Sequence, residues 1–348
     1  MTVCPPFLFG ARSRRGAKRM RVFVVVAFAA SPTALSHAET QDARTASSLE
    51  QVLATDAALS VLDFKLRDSY EFALSRLSVQ GKAFIEEGEA SWVKYISQIC
   101  RASEVDDQTA WSKKCLAKEY LGRILYLKDL IITRGAFQFI SVDRNCAHKA
   151  SDDNTGSHPG WATHHWAWPR IDRPQTPLTE RWNQLAADAS GRGEDCEDAD
   201  EDTKMSYGFG LANARLISVD WSYWFYGHGA AHGNGTSYTA TMVLSPELHA
   251  LRPEDLFRPE APWHERLGAL LLAELRRTVP TDQFPLYGDF NGFAAQIASD
   301  PTRWALGMEG ITFNFNRYEI GPYVYNPPTI TLAWSDLKDI LIADPPVP

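Results

Sequence analysis

Residues 217–225, in the C-terminal half of the chain, read I-S-V-D-W-S-Y-W-F. The large apolar residues of this stretch recur at every second position, which is typical of a strand with one buried face. They are Ile217, Val219, Trp221, Tyr223 and Phe225, and we expect Trp221 to fill the core. A glycine-rich turn over 227–235 leads to a second alternating run, in Tyr238, Ala240, Met242 and Leu244. The two runs predict a β-hairpin.

Residues 45–132 have the longer period of helices, because their apolar residues recur at steps of three and four. Three stripes result: Leu59, Leu62, Leu66, Tyr70, Ala73 and Leu77; then Ile85, Trp92, Ile96 and Ile99; then Leu116, Tyr120, Ile124, Leu127 and Ile131. The last two predicted helices flank Cys100 and Cys115, so a disulfide would close the turn between antiparallel neighbours. This pattern predicts a stapled helical hairpin with a preceding helix.

The elements around the hairpin indicate the fold class. Strand-like runs occupy 137–142, 311–315 and 329–333, and helices are predicted over 179–189, over 263–277 and from Ser335. Residues 191–204 carry seven acids, which favours a solvated loop. We therefore predict an α+β protein: an N-terminal disulfide-stapled helical domain, then an α+β domain with a mainly antiparallel sheet and helices packed on it.

The first 38 residues are typical of a signal peptide. A cationic lead ends at Arg21, an apolar run covers 22–35, and small residues stand at Ser36 and Ala38. The apolar run is shorter than the roughly 20 residues that span a bilayer. We expect a periplasmic or secreted protein with no stable membrane span after leader cleavage, starting at Met1 or Met20. The predicted domains are 1–38 (signal peptide), 39–134 (helical) and 135–348 (α+β).

The net charge of the chain indicates which kinds of partner it can bind. The chain has 35 basic and 43 acidic residues, a formal charge of −8. Removing 1–38 takes away six bases and no acids, which leaves 29 against 43, a charge of −14. Such a protein is repelled by nucleic acid and attracted to cationic partners. Acid excess also keeps secreted proteins soluble, and that alternative stays open.

The cysteine count agrees with export. Of five cysteines, Cys4 leaves with the leader, and an even number remains for an oxidising compartment. Four cysteines allow three pairings, and their spacing favours Cys100–Cys115 and Cys146–Cys196. The second bridge would tie the acidic loop to the strand that ends near Cys146. The chain lacks Cys-x-x-Cys, which argues against a zinc ribbon or a thioredoxin-type site.

The helical half resembles the N-terminal domain family of the LprI-type lysozyme inhibitors over about 75 residues. The resemblance depends on Leu59-x-x-Leu62-Asp63-x-x-Leu66, Tyr70, Leu74, Trp92, Cys100, Cys115, Tyr120 and Arg123. Many relatives carry a further cysteine where this chain has Ala54, so one of their disulfides is missing here. The resemblance implies a helical envelope domain but does not by itself imply inhibition.

The second half resembles the extracellular domain of RsiV-type anti-sigma factors, a module also found beside peptidoglycan deacetylases. The residues that carry the resemblance are 227–233, Leu251, 255–257 and the run from Phe313 to Tyr323. The family's Gly-Gly-Ala-His reads Gly-Ala-Ala-His here, over 229–232. The chain shows no counterpart of the sigma-binding part or of the deacetylase domain, so the resemblance implies neither activity. Both resemblances imply the cell envelope and the recognition of lysozyme or the wall.

The candidate binding site is the glycine-rich turn with the strand ends beside it, in which we single out Trp224, Tyr226, His228, His232 and Asn234. Exposed tryptophans can stack on sugars or anchor a protein interface. His228 and His232 are four apart, but glycines at 227, 229, 233 and 235 favour a turn over a zinc-binding helix. We expect no metal and no cofactor.

The sequence favours a binding protein over an enzyme. It contains neither Gly-x-Ser-x-Gly nor His-Glu-x-x-His, and it lacks a phosphate-binding glycine loop with lysine. The predicted function is that of an exported envelope binding protein that recognises or inhibits lysozyme-type muramidases. The alternative is a wall-glycan binding or sensory module without inhibitory activity.

Overall fold

The N-terminal half of the described chain begins with three helices. The computed structural model describes residues 52–53, 55–101, 108–150, 158, 160–191, 200–279, 290–324 and 326–348. Helix α1 covers Ala57–Ser75, α2 covers Val79–Ile99 and α3 covers Gln108–Lys128. The side chains of Asp56 and Ser78 accept backbone N–H groups at the starts of α1 and α2, as N-caps do.

The predicted helical stripes and the staple between the helices are confirmed. Most members of the three stripes are buried, and Leu62 and Tyr70 are packed against the same core. Cys100 and Cys115 form a disulfide with their Cα atoms 5.4 Å apart. Ile131 lies beyond the third helix, in a strand.

The central sheet has seven strands in chain order. They are β1 (Ile131–Arg134), β2 (Phe137–Lys149), β3 (Trp161–Arg173), β4 (Glu201–Ala212), β5 (Leu216–Gly227), β6 (Asn234–Val243) and β7 (His249–Ala250). Neighbours run antiparallel except β3 and β4, which are parallel. Helix α4 (Pro177–Ala189) lies between these two strands in the chain, as a parallel pair requires a crossover connection.

The C-terminal part adds a small antiparallel sheet of order β10–β9–β8. Its strands are β8 (Ala305–Leu306), β9 (Gly310–Asn314) and β10 (Thr329–Ala333), with α5 (Trp263–Thr278), α6 (Phe290–Ala298) and α7 (Trp334–Leu337). One-turn 3₁₀ helices cover Pro253–Asp255 and Pro301–Arg303. The predicted strands and helices of this part are confirmed, apart from Phe315, which lies just beyond β9.

Two apolar cores hold these layers together. The first combines residues of α1–α4 with residues of β2–β6, and the second lies between the small sheet, α5 and α6. A buried ion pair supports the first core: Arg123 of α3 donates to Asp143 of β2 at 2.6 Å and to Glu89 of α2 at 2.8 Å. Residues 46–348 group into one compact unit. The predicted boundary between a helical domain and an α+β domain, between residues 134 and 135, stays a prediction.

Two expectations need correction or fall outside the described residues. Residues 201–204 were expected in a loop, but they begin β4, where Thr203 pairs with His164 of β3. Backbone pairing on both sides outweighs the low strand propensity of these acidic residues. Cys146 is disulfide-bonded, while its predicted partner Cys196 lies outside the described residues. So do the signal peptide, its two candidate start sites and residues 192–199 of the acidic run.

The predicted α+β class, with a mainly antiparallel sheet, is confirmed. In the part of the chain that the structure describes, no helix combines the length and the apolar character that crossing a bilayer requires.

Candidate binding surface at the end of the sheet

Strand β5 presents two chemically different faces at the predicted hairpin. Trp221 is 1% exposed, and Val219 and Ile217 are buried beside it in the first core. Trp224 belongs to the opposite face and is 40% exposed. In the sheet it lies opposite Lys204 of β4 and Gly235 of β6. The alternation therefore buries one set of aromatic residues and leaves the other available for contact.

A second segment, residues 316–323, reaches the same place and is called the aromatic loop below. Asn316 Oδ1 accepts the backbone N–H of Ser237 on β6 at 2.6 Å. Glu319 accepts two hydrogen bonds from Arg303, at 2.7 and 2.9 Å. These contacts fix the loop beside the hairpin. Tyr318 is held at φ +67° and is 44% exposed. This left-handed backbone is uncommon outside glycine and strained for a bulky residue.

The aromatic loop and the hairpin turn join through His232. Its imidazole stacks on the Tyr323 ring with centroids 3.6 Å apart, and its Nε2 lies 3.2 Å from the Tyr318 hydroxyl. The Tyr323 hydroxyl donates to the Gly233 carbonyl at 2.9 Å. Arg317 lies over the other side of the cluster, 4.5 Å from the Tyr323 centroid.

Trp224 and Tyr226 extend this cluster along β5. The two rings are stacked at 6.4 Å. The Trp224 indole packs so closely on Gly233 that a Cβ there would lie 2.7 Å from it, so the position requires glycine. We define the hairpin-end surface as Trp224, Tyr226, His232, Tyr318 and Tyr323.

The acidic run enters the sheet at the same end. The backbone carbonyl of Asp200 accepts the backbone N–H of His228 at 2.8 Å, and Glu201 pairs with Gly227 in the sheet. Residues 200–202 are the last three acids of the run predicted as a loop. Asp202 is buried, so the negative charge that meets the exposed aromatic rings at this edge is that of the half-buried Asp200 and Glu201.

Histidines lie beneath this edge. His228 is 3% exposed at its side chain, and its Nε2 lies 3.5 Å from Asp202. Asp202 in turn accepts the backbone N–H and the hydroxyl of Thr163. His164 bonds to Thr203 at 2.8 Å, and burial lowers its pKa to about 4.

His165 makes two hydrogen bonds that fix its neutral form. Its Nδ1 lies 2.7 Å from Asn145 Oδ1, and its Nε2 lies 3.1 Å from the Tyr95 hydroxyl. The amide oxygen only accepts, so Nδ1 carries the proton and Nε2 accepts from Tyr95. Burial lowers the pKa of His165 to about 4. This histidine links α2 to the sheet.

A polar groove continues from the surface along the exposed face of β4–β6. Its volume is about 360 Å³. The polar side chains of the lining come from the central sheet, from the 3₁₀ turn 301–303 and from the end of β9: Ser206, Asp220, Ser222, Ser237, Thr239, Thr302, Arg303 and Asn314. A groove of this size falls at the lower end of the ~300–1,000 Å³ common for ligand sites.

The structure brings together most of the residues singled out from the sequence. Trp224, Tyr226 and His232 belong to one surface, and Asn234 begins β6 with its side chain bonded to Gly235 N–H. His228 lies below the surface and supports it. Tyr318 and Tyr323 were not named as site residues, although the run 313–323 carried one of the family resemblances. Within the described residues, no group of three or more His, Cys, Asp or Glu side chains is placed to hold a metal.

Two of the five residues of the surface, and part of the groove, belong to a segment that matches a known family. Residues 254–335 match the family model described as "Protein of unknown function (DUF3298)". This segment is a DUF3298 domain. It contains the aromatic loop and β8–β10, whereas Trp224, Tyr226 and His232 precede it. The finer resemblances to LprI-type and RsiV-type proteins stay predictions.

Solved structures of the DUF3298 family are similar to this chain. One is a family member from Bacteroides fragilis, 20% identical, covering 61% of this chain and 96% of its own, with a TM-score of 0.41. Another, from Pseudomonas aeruginosa, is 14% identical and covers 58% and 94%, with a TM-score of 0.37. No curated protein matches the chain.

Proposed function

We propose that this chain is an exported binding protein of the cell envelope that recognises a cationic protein, a lysozyme-type muramidase, through the hairpin-end surface. One observation carries the proposal: the exposed aromatic rings lie at the sheet end where the half-buried acids Asp200 and Glu201 enter. The protein acts by binding rather than by catalysis.

The chemistry of the surface suits a protein interface. Tryptophan and tyrosine are the side chains that most often dominate binding energy, because each buries a large apolar area while keeping a polar group. The stack of His232 on Tyr323 and the packing of Trp224 on Gly233 hold these rings in place before binding. Less conformational entropy is then lost on association.

The charge of the protein supports a cationic partner. The sequence without its predicted leader carries −14, and the acidic run ends beside the aromatic rings. Complementary charge accelerates encounter and excludes partners of like charge. Lysozyme-type muramidases are the cationic partners that the two family resemblances suggest.

Export is supported by the leader-like sequence of residues 1–38 and by the Cys100–Cys115 disulfide. Disulfides persist in oxidising compartments and are rare in the cytosol. These two features support the proposal that the protein resides in the periplasm or outside the cell. Fractionation of the producing cells, with a check for the processed N-terminus by mass spectrometry, tests this placement.

Capture and inhibition assays test the protein partner. Immobilised c-type lysozyme should retain the purified protein in low salt and release it as salt rises, because screening weakens contacts between exposed charges. Slower lysis of wall fragments in the presence of the protein would show inhibition. No retention in low salt would remove the muramidase proposal.

The second candidate is a wall-glycan binding module without inhibitory activity, and the polar groove beside Trp224 favours it. A saturable change in tryptophan fluorescence on titration with oligomers of N-acetylglucosamine, without retention on lysozyme, would select this alternative.

A further inference from the structure

The polar groove has a floor made by the exposed faces of three strands. Ser206, Ser222 and Ser237 lie opposite one another across β4, β5 and β6, and Gly208, Asp220 and Thr239 form the next row. The wall is formed by Thr302, Arg303 and Asn314. A Cβ built on Gly208 meets nothing within 4 Å, so the space above this residue is open.

Several hydrogen-bonding groups of the groove are available to a ligand. The Asp220 carboxylate accepts one hydrogen bond, from Thr239 Oγ1 at 3.0 Å, and no other from the described residues. The hydroxyls of Ser222 and Ser237 make none within that part of the chain. Each hydroxyl can donate one hydrogen bond and accept others.

The charges of the groove select against anions. The Arg303 guanidinium is already neutralised by the two-point contact with Glu319 and also donates to the Asn314 carbonyl at 2.6 Å. Asp220 is then the one ionisable side chain of the lining whose charge is not paired in the described structure. Burial raises the pKa of Asp220. A carboxylate among hydroxyls accepts from ligand hydroxyls and repels phosphate or carboxylate ligands.

Trp224 lies next to this floor. It is two residues from Ser222 on β5 and points to the same side of the sheet, about 7 Å further along the strand. One side of its indole packs on Gly233, while the residue keeps 40% of its surface exposed. Aromatic faces of this kind stack on the apolar faces of sugar rings.

We propose that the groove binds a short, uncharged oligosaccharide, with one sugar ring in contact with Trp224 and the next over Ser222, Ser237 and Asp220. Hydroxyl and acetamido groups of a sugar both donate and accept hydrogen bonds, as the serine hydroxyls of the floor do, and they can donate to Asp220. Chains of N-acetylglucosamine, which carry no charge, belong to this ligand class. The inference deepens the glycan-binding alternative and does not depend on the muramidase proposal.

Calorimetric titration with tri-N-acetylchitotriose, an uncharged trisaccharide, tests the groove directly. The whole processed chain should bind it saturably, and Gly208→Val should weaken binding at least tenfold by filling the open space. Asp220→Asn should weaken it less, since the amide oxygen still accepts. The matched control is Gly122→Val on α3, where a Cβ also meets nothing within 4 Å.

The variants also separate this inference from the protein-binding proposal. Gly208→Val should leave retention on lysozyme unchanged, whereas His232→Ala should weaken retention and leave trisaccharide binding unchanged. Circular dichroism and the urea midpoint establish that each variant is folded. The inference is overturned if the unmodified protein shows no binding at millimolar trisaccharide, or if Gly208→Val binds it as tightly as Gly122→Val does.

Discussion

The imidazole of His232 lies parallel to the phenol ring of Tyr323, with centroids 3.6 Å apart and ring planes inclined by 14°. The two residues come from different parts of the chain and join the hairpin turn to the aromatic loop. The Tyr323 hydroxyl also bonds to Gly233, next to His232. The turn and the loop therefore form one unit, and a substitution at Tyr323 should alter the mobility of both.

Tyr323→Leu should loosen the aromatic loop without unfolding the protein. The variant loses the ring stack and the bond to Gly233, while the Arg303–Glu319 contact still holds the base of the loop. Hydrogen–deuterium exchange by mass spectrometry should show faster exchange, by about tenfold for a loss near 1.4 kcal/mol, in residues 228–233 and 316–323. Val324→Ala, at a highly exposed neighbour, is the control. Equal exchange in the two variants would contradict the coupling.

Tyr318→Gly should separate stability from binding. Glycine adopts φ +67° without the penalty that tyrosine suffers, so the free energy of unfolding should stay constant or rise by up to about 1 kcal/mol. Partner affinity should nevertheless fall several-fold, because the ring and its contact with His232 are lost. Urea unfolding and a binding titration measure the two effects. A variant that loses both stability and affinity would show that Tyr318 is mainly structural.

The buried histidines should make the protein less stable in acid. Burial lowers the pKa of His158, His164 and His165 to about 4 from an ordinary 6.5. As the pH falls from 6.5 to 4, the unfolded chain takes up protons that the folded chain does not, so the free energy of unfolding decreases. Above pH 6.5 these residues should have no effect, and below pH 4 their effect should be constant.

Urea unfolding across that pH range, on His165→Asn and His264→Asn, checks this prediction. His165→Asn removes one buried titrating group. The free energy of unfolding of this variant should therefore fall less between pH 6.5 and pH 4 than that of the unmodified protein. His264 is exposed, so His264→Asn should follow the unmodified protein. Parallel curves for all three proteins would contradict the assignment of acid sensitivity to the buried histidines.

The Cys100–Cys115 bond should contribute about 3 kcal/mol to stability, the value that the chain-entropy model gives for a 15-residue loop. The double variant Cys100→Ser/Cys115→Ser should lower the free energy of unfolding by about that amount. Because Cys146 is also disulfide-bonded, reducing the unmodified protein should destabilise it further than the double variant. A loss under about 1 kcal/mol would show that the helices hold the turn without the staple.

Much of the fold was predictable, because its signals are local. The stripe from Leu59 to Leu77 and the alternation from Ile217 to Phe225 each follow from burial of one face of one element. The parallel pairing of β3 with β4 was not predictable in this way. Its strands are separated by α4, and the acidic composition of 201–202 resembles a loop until the backbone pairing of Thr203 with His164 is seen.

The site was predictable only in part for a related reason. Trp224, Tyr226 and His232 stood out because they lie beside a glycine-rich turn. Tyr318 and Tyr323 follow nearly 90 residues later, and only the packing of the small sheet brings them to His232. The role of His165 was not predictable either, since it depends on Tyr95 of a distant helix.

Calorimetric titration of c-type lysozyme into the processed protein in low salt tests the proposed function most directly. We predict saturable binding that weakens with salt and weakens at least tenfold in Trp224→Ala/His232→Ala, but not in Phe64→Ala, which removes an exposed aromatic ring from α1. Absence of heat from binding in low salt, or equal affinity of both variants, would contradict recognition through the hairpin-end surface.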